Sequence, residues 1–100
     1  MTHTVFFWLR SDLTAEERLD FERGLRTLLG IPGVRRGVVG RPAATPKREV
    51  IDDSYDWALE LDFGSLAEQD EYQVHPVHTA FVEGQKSKWE RVRIYDFEWA

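Results

Sequence analysis

Residues 3–9, His-Thr-Val-Phe-Phe-Trp-Leu, are bulky on both sides of whatever they form. Read as a strand, their alternation puts His3, Val5, Phe7 and Leu9 on one face and Thr4, Phe6 and Trp8 on the other. A strand with one solvated face alternates apolar with polar; here both faces carry large apolar groups, so both have to be covered. The chain has 100 residues, the size of one domain (residues 1–100), and a chain this small often gains from association. The remaining residues must therefore build a layer over one face, and something must cover the second.

The rest of the chain supplies that layer. Thr14-Ala-Glu-Glu17 is a capping box that opens a helix, and Phe21, Leu25, Leu28 and Leu29 recur at helical spacing. Gly24 interrupts this helix at a cost of about 1 kcal/mol relative to alanine and marks the close approach of a neighbouring element. Gly30 and Pro32 end the helix. Val34–Gly40 is a poorer strand with Gly37 as a candidate bulge, and Arg41–Asp53 is a long loop. In Tyr55–Phe63, Tyr55, Trp57, Leu59, Leu61 and Phe63 alternate with Asp56, Ala58, Glu60 and Asp62, the cleanest strand pattern in the chain. Ser65-Leu-Ala-Glu68 reads as a second capping box. Its helix runs to about Val74, because Pro76 turns His75 away from the α region and suits the first turn of a new helix. That helix extends from Pro76 to about Lys86. In the last strand, Trp89–Trp99, Val92 and Ile94 share one face while Tyr95, Phe97 and Trp99 share the other.

The order β-α-β-β-α-β is that of an α+β, ferredoxin-like fold: a four-stranded antiparallel sheet with its helices on one face. Phe6, Trp8, Tyr95, Phe97 and Trp99 then crowd the uncovered face, and so many aromatic rings are not left in water. A second copy of the chain is the simplest cover. The expectation is a homodimer whose open sheet faces meet as a dimeric α+β barrel.

Composition narrows the partners. A net charge of −5 and a pI near 5.1 argue against nucleic acid and anionic membrane. With no cysteine, disulfides and thiol chemistry are out, and any metal would need histidine and carboxylate ligands. The longest apolar run, Val5–Leu9, is too short to span a bilayer, and the basic start of a signal peptide is absent, so a cytoplasmic location is expected. No glycine-rich phosphate loop or nucleophile elbow implies a cofactor.

The chemistry concentrates in Tyr72–Phe81, Tyr-Gln-Val-His-Pro-Val-His-Thr-Ala-Phe, which holds two of the three histidines. Tyr72 and His78 fall on different short helices and can converge on one point. A histidine titrates near neutrality and takes a proton at physiological pH. If His78 abstracts a proton next to a carbonyl, the Tyr72 hydroxyl is placed to donate a hydrogen bond to the developing enolate oxygen. Equally, both are structural: His78 braces the helix break, and Tyr72 lodges its ring in the core with its hydroxyl at the rim. His75 either caps the following helix or lies at the dimer surface. A His-x-x-His metal pair needs a continuous helix, which Pro76 interrupts, so no metal site is expected. His3 is either a pocket residue, on the Val5/Phe7 face, or a partly exposed strand start. Trp57, Trp89, Tyr55, Phe21 and Phe81 read as core unless a cavity exists. Lys47 and Arg48, with Arg41, read as a solvated loop.

The residues His3, Thr14, Phe21, Gly40, Ser54-Tyr55, Tyr72, His75-Pro-Val-His78, Phe81, Trp89 and Tyr95-Asp96 together resemble the stress-responsive α/β-barrel (Dabb) family, over nearly the whole length. The resemblance implies a dimeric, ferredoxin-like protein. Most members of the family have no assigned reaction. One branch, a plant polyketide cyclase, closes a linear polyketide thioester into an aromatic acid by an aldol step. Its catalytic tyrosine and histidine fall on Tyr72 and His78. Its pocket, between sheet and helices, carries over to His3, Val5, Phe7, Phe21, Leu59, Phe81, Trp89, Val92 and Ile94. The first helix departs from that branch at Glu22, Leu25 and Arg26. Leu25 is counted with the pocket wall; the two charges narrow the pocket, make it polar, or swing outward and leave it open. Three readings follow: a dimer binding a small, largely apolar molecule; a cyclase-like enzyme using His78 and Tyr72 on a carbonyl compound; and a structural stress-response dimer with a filled core. Pocket volume separates the last from the others.

Overall fold

The strand bulky on both faces lies inside the sheet. In the computed structural model, which describes all 100 residues, β1 (Thr2–Leu9) is flanked by β3 (Trp57–Asp62) and β4 (Trp89–Phe97), and β2 (Arg36–Gly40) closes the far edge in the order β2-β3-β1-β4. Every neighbouring pair is antiparallel. The helices α1 (Ala15–Thr27), α2 (Leu66–Val74) and α3 (Pro76–Gln85), with short 3₁₀ turns at Leu28–Gly30 and Lys86–Lys88, complete the ferredoxin-like α+β arrangement.

The local signals act as their chemistry requires. The Thr14 hydroxyl accepts from the Glu17 amide at 3.1 Å, and the Glu17 carboxylate accepts from the Thr14 amide at 2.9 Å, so both halves of the capping box form. At the second box only one half forms. Ser65 accepts from the Glu68 amide at 3.2 Å, but the Glu68 carboxylate is drawn 3.0 Å from the Arg35 guanidinium instead. Gly24 does mark a close approach: a Cβ there would stand 2.9 Å from the Gln85 amide nitrogen of α3. Gly37 is not a bulge. Its register with β3 runs unbroken from Arg36↔Asp62 to Gly40↔Ala58. What Gly37 makes room for is the side chain of Leu29, whose Cδ2 would lie 2.6 Å from an added Cβ. The sheet's irregularity falls at Trp8/Leu9, in the pairing with β4.

His3, Val5, Phe7 and Leu9 are buried under the helices with Leu59, Leu61, Phe63, Phe21, Leu25 and Leu28. Tyr55 departs from its expected face. It precedes the strand proper, where the Asp56 amide donates to the Phe7 carbonyl and the Asp56 carboxylate accepts from the Leu9 amide. The alternation is broken there, and the Tyr55 ring packs on Phe6 and Trp8, on the side away from the helices. That side has no second layer: the molecule measures 36 × 32 × 17 Å, one sheet and one layer of helices thick. Tyr95, Phe97 and Trp99 are 56%, 54% and 61% exposed on it. No helix is long and apolar enough to cross a membrane.

Candidate functional site

The α2–α3 junction decides what the two histidines of the Tyr72–Phe81 stretch do. His75 adopts an extended conformation, and its Nδ1 accepts from the Val77 amide at 3.1 Å, so it is the N-cap of α3. Of its two expected placements, the capping one holds. His78, one turn further on, is half-buried and faces the sheet rather than the helix end. Tyr72, in the last turn of α2, is 1% exposed. Its ring meets His78 edge-on at 4.9 Å between centroids, and lies 5.2 Å from Phe63 and 5.9 Å from His3. His3 is directly opposite Asp96 on β4, and its Nδ1–H donates to the Asp96 carboxylate. One ring from the sheet, one from α2 and one from α3 thus share a single neighbourhood.

All three line a cavity of about 160 Å³ between the sheet and the α2–α3 pair. Its wall is formed by His3, Val5, Phe7, Leu59, Tyr72, His78, Phe81, Trp89, Val92 and Ile94, together with Leu28, Gln73 and Val82. The expected lining residues are therefore brought together, except for Phe21 and Leu25. Those two are fully buried and sit behind the wall, with Phe21 edge-on to Phe7 at 5.3 Å. Leu28, Gln73 and Val82 were not expected. Val82 is four residues from His78 on the same helix and so shares its face, a spacing that would have found it; Gln73 has no such signal. Glu22 and Arg26 swing outward and pair with each other at 3.0 Å, leaving the cavity open.

No buried side-chain nitrogen or oxygen lacks a partner. The Tyr72 hydroxyl makes no hydrogen bond within the chain, so it is open to the cavity rather than sealed against protein. Burial raises its pKa well above the ordinary phenol value, which keeps it a hydrogen-bond donor. Burial, and secondarily the neighbouring His3, lower the pKa of His78, which keeps its imidazole neutral and able to accept a proton. No Lys, Arg, Asp or Glu lines the wall. Nowhere do three or more His, Cys, Asp or Glu side chains gather as metal ligands would. Two further depressions lie away from these groups. One of about 170 Å³ is on the open sheet face beside Phe6, Trp8 and Tyr55, and one of about 320 Å³ runs between α1 and Trp57.

Comparison with known proteins agrees with this fold. A family model described as the stress responsive A/B barrel domain matches residues 1–99. Olivetolic acid cyclase from Cannabis sativa is 23% identical over 95 residues, which span 95% of this chain and 92% of that protein. Among solved structures, a Dabb family protein with a ferredoxin-like fold from Mesorhizobium loti superposes with a TM-score of 0.79 at 26% identity, covering 99% of this chain and 95% of that one. A protein of unknown function from Bacteroides fragilis, described as dimeric and ferredoxin-like, gives a TM-score of 0.74 at 25% identity, covering 98% and 94% of the two chains.

Proposed function

The chain belongs to the stress responsive A/B barrel domain family, and on that premise we propose that it is a homodimer that binds a small, largely apolar carbonyl compound in the cavity and performs acid–base chemistry on it. The observation that carries this reading is the shared lining of the cavity. A half-buried imidazole and a phenol with no hydrogen-bond partner in the chain, their rings 4.9 Å apart, line the same largely apolar space. His78, neutral, takes a proton from the carbon next to the substrate carbonyl. Tyr72 keeps its proton and donates a hydrogen bond from its hydroxyl to the carbonyl oxygen as that oxygen gains the electron pair. The product of the step is an enolate and an imidazolium, and reprotonation or attack on a second carbonyl completes it. Likeness to olivetolic acid cyclase supports this reaction class. The empty space beside His78 weighs against the filled-core reading, since a structural dimer needs no void there.

Pairing through the open sheet face follows from the aromatic groups left on it. It is supported by the dimeric state given for structural neighbours. The chemical step is tested by following α-proton exchange of small ketones in D₂O by NMR. The wild-type protein is expected to accelerate exchange, and His78→Gln to lose about 10²–10⁴-fold of that acceleration. Exchange retained in His78→Gln would remove His78 from the mechanism. No acceleration by the wild type would leave a binding protein without this chemistry.

A further inference from the structure

We propose that the occupant of the cavity is an uncharged compound of one six-membered ring carrying a short ketone or aldehyde group, and not a long acyl chain. This rests on the cavity being the binding site. It is open to solvent on one side and its volume is about 160 Å³, room within the wall for one ring, as an engineered apolar cavity of about 150 Å³ holds one benzene. Behind the wall on the α1 side the space is filled: Phe21, 0% exposed, packs against Phe7, Phe81 and Trp89 at 5.3, 5.8 and 6.4 Å. The aromatic part of the wall is built from Phe7, Phe81 and Trp89, with Phe81 stacked on Trp89 at 5.9 Å. Rings offered as walls favour a ring as occupant, through edge and offset contacts.

Charge is selected as firmly as size. The polar side chains on the wall besides Tyr72 are His3, Gln73, His78 and the indole N–H of Trp89. None is a permanent cation, and the nearby carboxylate, Asp96, is already bound to His3. A carboxylate ligand would be buried with no cation to meet it. A single carbonyl oxygen, by contrast, is satisfied by the Tyr72 hydroxyl alone.

The test uses acetophenone, with benzoate as the charged compound of similar size and 4-acetylbiphenyl as the neutral compound one ring larger. Affinities are measured by calorimetry on the full chain at pH 7.5, and the site is located from the NMR shift of the His78 ring protons. Acetophenone is expected to bind at least tenfold more tightly than either comparator and to move the His78 signals. If 4-acetylbiphenyl binds within tenfold of acetophenone and moves the same signals, the size limit is wrong while the cavity remains the binding site. If benzoate does so, the charge limit is wrong. If none of the three moves His78 at millimolar concentration, both this inference and the function it rests on fail.

Discussion

Tyr72→Phe removes one oxygen and separates the chemical role proposed for Tyr72 from its structural one. The ring is 1% exposed and packed against Phe63, His3 and His78, and phenylalanine keeps every one of those contacts. The hydroxyl has no partner within the chain, so its loss strands no donor or acceptor. The expected change in folding stability is therefore within about 0.5 kcal/mol, or no more than about 4 °C in the melting temperature of a domain this size. Truncation to alanine, which empties the same site, should cost about 3–5 kcal/mol. The catalytic effect runs the other way. Removing one donor to a developing oxyanion typically lowers the rate by about 10²–10³-fold, or ~2.7–4 kcal/mol. Urea denaturation paired with α-proton exchange in D₂O reads both quantities. A Tyr72→Phe protein destabilised by more than about 1.5 kcal/mol would mean that the hydroxyl is held by protein and does not face the cavity. A stable Tyr72→Phe protein with unchanged exchange would mean that Tyr72 does not stabilise the oxyanion.

Three further outcomes follow from the same structure. His78 has a folded-state pKa below its ordinary value of 6.5, chiefly through burial. Between the two values the unfolded chain binds more protons than the folded one, so stability should rise with pH through that window. The His78 contribution is complete above 6.5 and lost as pH falls through the folded-state value; urea midpoints measured across the window should flatten in His78→Gln. Gly37→Ala places a Cβ 2.6 Å from Leu29 Cδ2 and 3.0 Å from Leu61 Cδ2. Overpacking of about 1–3 kcal/mol outweighs the entropic gain of ~0.4–1 kcal/mol, so the midpoint should fall. Phe97→Glu changes a residue 54% exposed within the chain; it should leave the secondary structure intact by circular dichroism while light scattering reports half the wild-type mass.

The elements were legible wherever a period repeated. Trp57 to Phe63 alternate without a break, and the strand and its buried face are as that pattern predicts. The reading failed where a single residue decides. Tyr55 continues the same alternation in sequence, yet the two hydrogen bonds of Asp56 to β1 break the strand just before Trp57 and deliver Tyr55 to the opposite side. Glu68 matches a capping box by spacing, but Arg35, thirty-three residues away in sequence, competes for its carboxylate. A local pattern carries no information about a distant partner.

The site divides along the same line. Phe21, Leu25 and Leu28 share one face of the first helix and its extension, so spacing marks all three as buried; only Leu28 touches the cavity. What separates them is the close approach of α1 and α3 at Gly24 and Gln85, which closes the space around Phe21 and Leu25. The meeting of Tyr72 and His78, by contrast, is traceable to one residue. On a continuous helix, positions six apart are turned by about 120° from each other and face different directions. Pro76 prevents that helix by holding His75 extended, with ψ at 140°, and α3 restarts on a new axis. The two rings come to 4.9 Å because the helix between them is interrupted, so the proline between the histidines brings the Tyr72 and His78 side chains to one point.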